Sequence, residues 1–242
     1  MGEPLPRAAC GQGQHCRVNL SELHRRLLAD VLEIGTPTPY PLVITGGYAV
    51  QAHGLVDRLS QDVDVATENP APISEIVRSV GDGLTERGWQ VEQIEVGPLS
   101  GRLVATAPGT GEQCEVDILK EVLWHPPKSS AYGPVLSLDD VIGTKVRALA
   151  DRGAVRDLID VHAASQQRSR ADLENLGRRH ARYVFSLEDL RDRLAGAEWW
   201  DDQDYAGYGL QSDQIDALRM WALEWATDIG TRLQNEQDPD DL

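Results

Sequence analysis

Two short segments that lie close together in the chain constrain its fold more than any other feature. The first, ThrGlyGlyTyrAlaVal at 45–50, reads as the end of a strand, a two-glycine turn and a short helix. The second, SerGlnAspValAspVal at 60–65, reads as a strand that carries two carboxylates. Because side chains alternate across a strand, Asp62 and Asp64 project from the same face, close enough to share a divalent metal ion.

The glycines Gly46 and Gly47 predict a place where a phosphate approaches the backbone. A backbone without Cβ atoms can come close to a ligand, and the N-terminus of the helix that follows favours negative charge. A turn that tolerates phosphate, beside carboxylates that bind metal, indicates chemistry on nucleotides.

A third carboxylate is expected, because phosphoryl transfer with two metal ions usually needs one to hold the ion that activates the attacking hydroxyl. The best source is the strand GluValAspIle at 115–118, where Glu115 and Asp117 share a face. We favour Asp117, since apolar residues flank it on both sides, as they flank Asp64. Glu115 is a credible substitute.

Lys145 falls inside the apolar face of a helix predicted at 138–150. One interpretation is a lysine whose stem packs on the core while its amine reaches solvent. The other directs the ammonium across a domain junction towards a triphosphate, and beside the aspartates we favour this one. Three nearby arginines read mostly as a solvated face, with phosphate contacts as the alternative: Arg147, Arg152 and Arg156.

The apolar pattern predicts an α+β fold in two parts. Residues 1–18 read as a flexible arm, 19–136 as a small mixed sheet with helices, 137–235 as a helical bundle, and 236–242 as a disordered tail. The acidic and aromatic segment 199–209 is predicted to be a loop. Strands are expected at 42–45, 61–66, 90–96, 102–107 and 114–119, and the later helices at 138–150, 155–165, 171–183, 186–195 and 213–235.

Charge is uneven along the chain and limits its possible partners. The formal net charge is −16, and residues 197–242 hold 2 basic and 12 acidic side chains. A globally acidic protein is a poor general binder of nucleic acid. Such a partner would need a local basic groove, and residues 140–196, with 11 basic and 9 acidic side chains, are the candidate.

Cysteine content and hydropathy indicate a cytoplasmic protein. Three cysteines, an odd number, fit a reducing compartment better than a disulfide framework. No apolar run approaches the length that crosses a bilayer, so we expect no membrane partner. Cys10, His15 and Cys16 lack a second pair of ligands, which disfavours a zinc site there.

Together, the motifs resemble the minimal nucleotidyltransferases of the DNA polymerase β superfamily. The resemblance is carried by GlyGlyTyrAlaVal at 46–50, ArgLeuSerGlnAspValAsp at 58–64 and GluValAspIleLeu at 115–119. The later segments GlyThrLysValArgAlaLeuAlaAspArgGly and ArgAspLeuIleAspValHis are similar to the AbiEii/AbiGii and MenT nucleotidyltransferase toxins. The likeness covers roughly residues 40–165.

This resemblance implies a polymerase β-like palm domain followed by a helical bundle, with the active site between them. It implies Mg²⁺ bound by two aspartates, to which we add a third, and a set of further site residues. It also implies an NTP substrate, a tRNA 3′ end as acceptor, and a cognate antitoxin as partner. The expected metal ligands are Asp62, Asp64 and Asp117; the expected NTP contacts are Gly46, Gly47, Arg58, Ser60 and Lys145; and Lys145 and Asp157 complete the catalytic site.

Two rival functions remain open. An aminoglycoside-type nucleotidyltransferase with a small acceptor has similar motifs, and an acidic surface would suit a polycationic drug. An inactive nucleotidyltransferase-like binding protein is the other, although the presence of all three aspartates argues against it. We favour tRNA because Arg178, Arg179 and Arg182 could hold an RNA backbone, with a solvated helix face as the alternative.

Overall fold

A computed structural model describes residues 20–35, 39–58 and 60–237. The predicted flexible arm at 1–18, with Cys10, His15 and Cys16, lies outside these residues. Of the predicted disordered tail, residues 236 and 237 belong to the last helix, and the remainder lies outside the described part.

A seven-stranded mixed sheet forms the first part of the fold. In chain order the strands are β1 (Val43–Ile44), β2 (Val63–Thr67), β3 (Gln90–Val96), β4 (Ser100–Thr106), β5 (Gln113–Lys120), β6 (Lys128–Ser130) and β7 (Gly133–Val135). The order across the sheet is β3-β4-β5-β2-β1-β7-β6. Strands β2 and β5 run parallel, side by side, with Asp64 opposite Asp117, so their pairing brings the two predicted carboxylate strands together.

Three helices alternate with the first strands: α1 (Glu22–Gly35), α2 (Gly46–Ala52) and α3 (Ile73–Glu86). They share one hydrophobic cluster with the sheet, which includes the buried side chains of Leu27 and Ile118. The mixed α and β architecture predicted from the sequence is confirmed.

The second part of the fold is helical. Its cluster of buried side chains includes Trp225 and Tyr205. The two clusters meet within the first of these helices, where Val141 belongs to the sheet cluster and Ile142 to the helical one. The helices are α4 (Leu138–Arg152), α5 (Val155–Ala164), α6 (Arg170–Arg179), α7 (Leu187–Ala195), α8 (Asp202–Ala206) and α9 (Ser212–Gln237).

Serine caps fix where three of these helices begin: Ser137 before α4, Ser169 before α6 and Ser186 before α7. The Ser137 hydroxyl accepts the Asp140 backbone N–H at 3.1 Å, and Ser186 does the same for Asp189 at 2.9 Å, as the sequence predicted. The predicted domain boundary between residues 136 and 137 stays a prediction, and the cap at Ser137 is consistent with it.

The predicted loop at 199–209 is wrong. A 3₁₀ turn spans Gly196–Trp199, and α8 follows, started by reciprocal capping between Asp201 and Asp204. Acidic residues thus act here as helix caps. The ring of Tyr205 is buried, and its hydroxyl donates to the Ala197 carbonyl at 2.7 Å.

Helix α6 ends at Arg179 rather than at the predicted residue 183. Side chains satisfy the carbonyls at its end, because Trp124 donates to Arg179 at 3.2 Å and Arg147 donates to His180 at 3.0 Å. Sequence analysis also missed β6 and β7, which are too short to show a period. Within the described chain, no helix combines the length and apolar character needed to cross a membrane.

The packing of α9 gives a test of the helical cluster. Trp225 is fully buried and donates its indole N–H to Glu174 at 3.0 Å, whereas Met220 on the same helix is 59% exposed. We expect Trp225→Ala to lower the free energy of unfolding by about 3–5 kcal/mol. Met220→Ala should change it by no more than about 0.5 kcal/mol. Urea denaturation measures both, and equal losses would contradict this packing.

Candidate active site

Three carboxylates meet where β2 and β5 run side by side. Asp62, Asp64 and Asp117 each place an oxygen so that all three oxygens lie within 4.8 Å of one another. The parallel register explains the contact, since it pairs Asp64 with Asp117 on adjacent strands. Glu115, the possible substitute, instead forms an ion pair with Arg102 at 2.9 Å.

This acidic group fits a divalent metal ion. Burial, and then the neighbouring charges of Asp62 and Asp117, raise the pKa of Asp64 to about 7, although Lys145 acts in the opposite direction. A bound cation would relieve the repulsion among the three carboxylates. Carboxylate oxygens are also the ligands that Mg²⁺ takes in proteins.

Two arginines already balance part of the charge. Arg102 holds both oxygens of Asp117, each at 2.7 Å, and the Nη1 atom of Arg156 lies 3.7 Å from Asp62. Sequence analysis missed Arg102. Arg102 could be recognised only from the register of β4 against β5, which sets it opposite Asp117. The sequence alone does not provide that register.

The two glycines make room for site side chains. Gly46 has a φ of +60°, and a Cβ there would lie 1.9 Å from an oxygen of Asp64. A Cβ on Gly47 would lie 2.5 Å from the hydroxyl of Ser60. That hydroxyl donates to Asp62 at 2.9 Å. The glycine pair therefore lets the first turn of α2 pack directly on the carboxylates and on the residue that orients one of them.

Lys145 lies in a buried ion-pair cluster. Its ammonium is 2.9 Å from Asp160 and 3.3 Å from Asp157, and the residue is 8% exposed. Burial alone would lower the pKa of Lys145, but the two carboxylates outweigh it and raise the pKa above its ordinary value. The amine is therefore held between two buried carboxylates, and its role towards a triphosphate stays a prediction.

Asp157 and Asp160 are almost completely buried, and each has an arginine as a second partner. Arg152 donates to Asp157 at 2.7 and 3.1 Å, and Arg58 donates to both oxygens of Asp160. The pair of Asp157 with Arg152 is buried only at its carboxylate end, because the Arg152 side chain is 52% exposed. Removing one partner of a buried pair typically costs 3–5 kcal/mol, so this cluster also holds the fold together.

A cavity of about 380 Å³ opens in front of these groups, between the sheet and the helices. Its size is within the range of pockets that bind small ligands. Tyr208, which sequence analysis did not identify, also lines it. Every residue predicted for catalysis, metal or NTP binding lines this cavity: Gly46, Gly47, Arg58, Ser60, Asp62, Asp64, Asp117, Lys145 and Asp157.

Only one of the three arginines predicted to contact RNA lines this cavity. Arg182 lines the cavity and donates to Glu121 at 2.8 Å. Arg178 and Arg179 do not line it. Arg178 stacks on Phe185, with 5.7 Å between guanidinium and ring centre.

Comparison with known proteins identifies the family. The family model described as nucleotidyl transferase AbiEii toxin, type IV TA system, matches residues 27–229. This chain belongs to the AbiEii nucleotidyltransferase toxin family. The family and the enzyme class predicted from the sequence are confirmed. No curated protein matches the sequence of this AbiEii-family chain.

Solved structures show the same fold. A candidate nucleotidyltransferase from H. pylori has a TM-score of 0.53 at 16% identity, over 89% of this chain and 98% of that one. MenT4, a nucleotidyltransferase toxin from Mycobacterium tuberculosis, has a TM-score of 0.56 at 18% identity, over 84% and 82%. At these identities the likeness concerns the fold alone.

The space that Gly46 leaves for Asp64 gives a second test. Gly46→Ala adds backbone strain and a clash with that carboxylate, so nucleotide transfer should fall by roughly a hundredfold. Gly111 also has a positive φ, +73°, but a Cβ there meets nothing within 4 Å. Gly111→Ala should keep its activity and lose only about 1–2 kcal/mol of stability. Equal activity of the two variants in a labelled-NTP assay would refute the assignment.

Proposed function

We propose that this AbiEii-family toxin is a magnesium-dependent enzyme that transfers a nucleoside monophosphate from an NTP to the 3′ end of tRNA and releases pyrophosphate. The observation that carries the proposal is the group formed by Asp62, Asp64 and Asp117, which faces a cavity with cationic side chains on its walls. A cognate antitoxin partner and a cytoplasmic location belong to the same proposal, because the family is one of toxin–antitoxin toxins.

Asp62, Asp64 and Asp117 would hold Mg²⁺, which when bound neutralises phosphate charge and activates the attacking hydroxyl. Ser60 keeps Asp62 in position through its hydrogen bond. Arg102 keeps Asp117 in position through two. These contacts set the carboxylates before substrate arrives, and such preorganisation is a main source of electrostatic catalysis.

The other cavity residues would bind and orient the triphosphate. Arg152 and Arg156 lie on the wall beside the aspartates, and their charges suit phosphate oxygens. Lys145, held between Asp157 and Asp160, would offset charge on the departing pyrophosphate. No nucleophilic serine or cysteine is needed, since positioning and electrostatics carry most of the catalysis of phosphoryl transfer.

An RNA acceptor also fits the local charge around Asp117. Arg102 donates to both oxygens of this carboxylate, and Arg182 lines the same cavity. Arginines next to the position of the attacking hydroxyl suit an acceptor with a phosphate backbone.

The metal site predicts how two variants respond to Mg²⁺. We expect Asp62→Asn and Asp64→Asn to abolish transfer while the fold is kept, because the acidic group repels itself without metal. Mg²⁺ should raise the melting temperature of the wild type by mass action and leave both variants unchanged. Asp82→Asn, at an exposed position on α3, is the control and should behave as wild type. Transfer near the wild-type rate in either site variant would rule out the assignment.

The acceptor is tested directly with each labelled NTP, Mg²⁺, and either total tRNA or a panel of aminoglycosides. We expect label at tRNA 3′ ends, with one pyrophosphate released for each nucleotide added. Label in aminoglycosides and in no RNA would favour the rival enzyme. The absence of pyrophosphate with every acceptor would favour an inactive binding protein.

A further inference from the structure

A second cavity, of about 390 Å³, lies next to the active-site cavity. It is formed by the end of β5 and the turn after α6, and Glu121 and Arg182 line both cavities. The two cavities therefore share a wall. This wall continues the strand that carries Asp117, which is the acceptor side of the proposed active site.

Cationic side chains outnumber acidic ones on the wall of the second cavity. The cationic ones are Lys120, Arg179 and Arg182, and the acidic ones are Glu68 and Glu121. Among the described residues, the Lys120 ammonium donates only to the Pro70 carbonyl, at 3.3 Å, and the side chain of Arg179 forms no ion pair. The charge of Glu121 is already neutralised, because Arg182 and the buried Arg147 both donate to it. The two arginines outweigh the effect of burial and lower the pKa of Glu121.

Two donor or acceptor atoms of the lining lack a partner. The Nε atom of Arg182 and the Nδ1 atom of His180 are buried, and neither forms a hydrogen bond with a residue in the described ranges. The His180 side chain is 1% exposed, whereas that of Arg182 is 26% exposed, so a ligand in the cavity can reach only the guanidinium of the two. An unsatisfied donor is costly, so this guanidinium favours a ligand with acceptor oxygens, such as a phosphate.

The same cavity offers apolar surface for a planar group. Leu99 and Val122 line it and are 37% and 57% exposed. Trp124, 51% exposed, adjoins the same wall, because its indole N–H donates to the carbonyl of the lining residue Arg179. Exposed aromatic rings beside cationic side chains are typical of sites that bind single-stranded nucleic acid.

The segment that carries these groups is held in place. The Leu123 N–H donates to Glu68 at 3.0 Å, and the His125 N–H donates to Asp140 at 3.2 Å. With the indole bond of Trp124, three contacts fix the chain directly after β5. A site that is formed in advance loses little conformational entropy when a ligand binds.

We propose that the second cavity binds a nucleotide of a single-stranded RNA acceptor, adjacent to the nucleotide whose hydroxyl reacts at Asp117. Lys120 and Arg179 hold the phosphate, and the base packs on Val122 and the ring of Trp124. The proposal rests on the proposed function, and it moves the RNA path from the outer face of α6 into this cavity.

Charge reversal at Arg179 tests the phosphate contact. Arg179→Glu should raise the KM for tRNA on the order of tenfold or more, as expected for loss of a charge-assisted hydrogen bond, with kcat and the KM for NTP unchanged. Arg78→Glu, at an exposed position on α3, is the matched control and should leave all three unchanged. Arg178→Glu should raise the KM for tRNA less than Arg179→Glu does.

A pair of variants at Trp124 tests the ring. Both Trp124→Phe and Trp124→Ala lose the bond to the Arg179 carbonyl, so the difference between them isolates stacking. Trp124→Ala should raise the KM for tRNA on the order of tenfold relative to Trp124→Phe. Binding of a short single-stranded RNA without NTP, followed by fluorescence polarisation, should show the same ratio.

The outcomes separate this inference from the proposed function. If the wild type labels tRNA while Arg179→Glu and Arg178→Glu have the same KM, or Trp124→Ala matches Trp124→Phe, the cavity assignment is wrong and the tRNA function stands. If the wild type labels a small acceptor and no RNA, both the cavity assignment and the proposed tRNA function are wrong.

Discussion

The parallel pairing of β2 with β5 is the constraint on which the rest of the site depends. It sets Asp64 opposite Asp117 and so concentrates negative charge that burial makes costly, as the raised pKa of Asp64 shows. The surroundings respond to that charge: Arg102 holds Asp117, and Arg156 approaches Asp62. Cationic side chains on the cavity wall thus balance carboxylates, and the same cationic groups suit phosphate oxygens.

Buried ion pairs connect the sheet to the helices around the cavity. Arg58, just before the carboxylate segment, holds Asp160 of α5, and Arg147 of α4 holds Glu121 directly after β5. Such pairs add little net stability compared with apolar packing, but breaking one is costly. They therefore fix how the two parts meet, and with it the position of Lys145 relative to the aspartates.

The acidic net charge and an RNA acceptor are compatible in this structure. Acidic side chains are concentrated beyond residue 197, whereas the arginines and lysines proposed to bind phosphate line the two cavities. Several arginines of the basic stretch are used internally, as Arg168 pairs with Asp139. Local placement of charge, rather than the net value, decides what the walls of a cavity attract.

The sequence by itself predicted most of the helices and strands and the residues that line the candidate active-site cavity. The GlyGly turn and Asp62 with Asp64 are local patterns, and the periods of most helices and strands report which face each segment buries. Only the tertiary structure decided that Arg102 holds Asp117, that the Lys145 ammonium lies between carboxylates, and that a second cavity adjoins the first. These contacts join segments far apart in the chain, and a local pattern carries no information about which distant segment will pair with it.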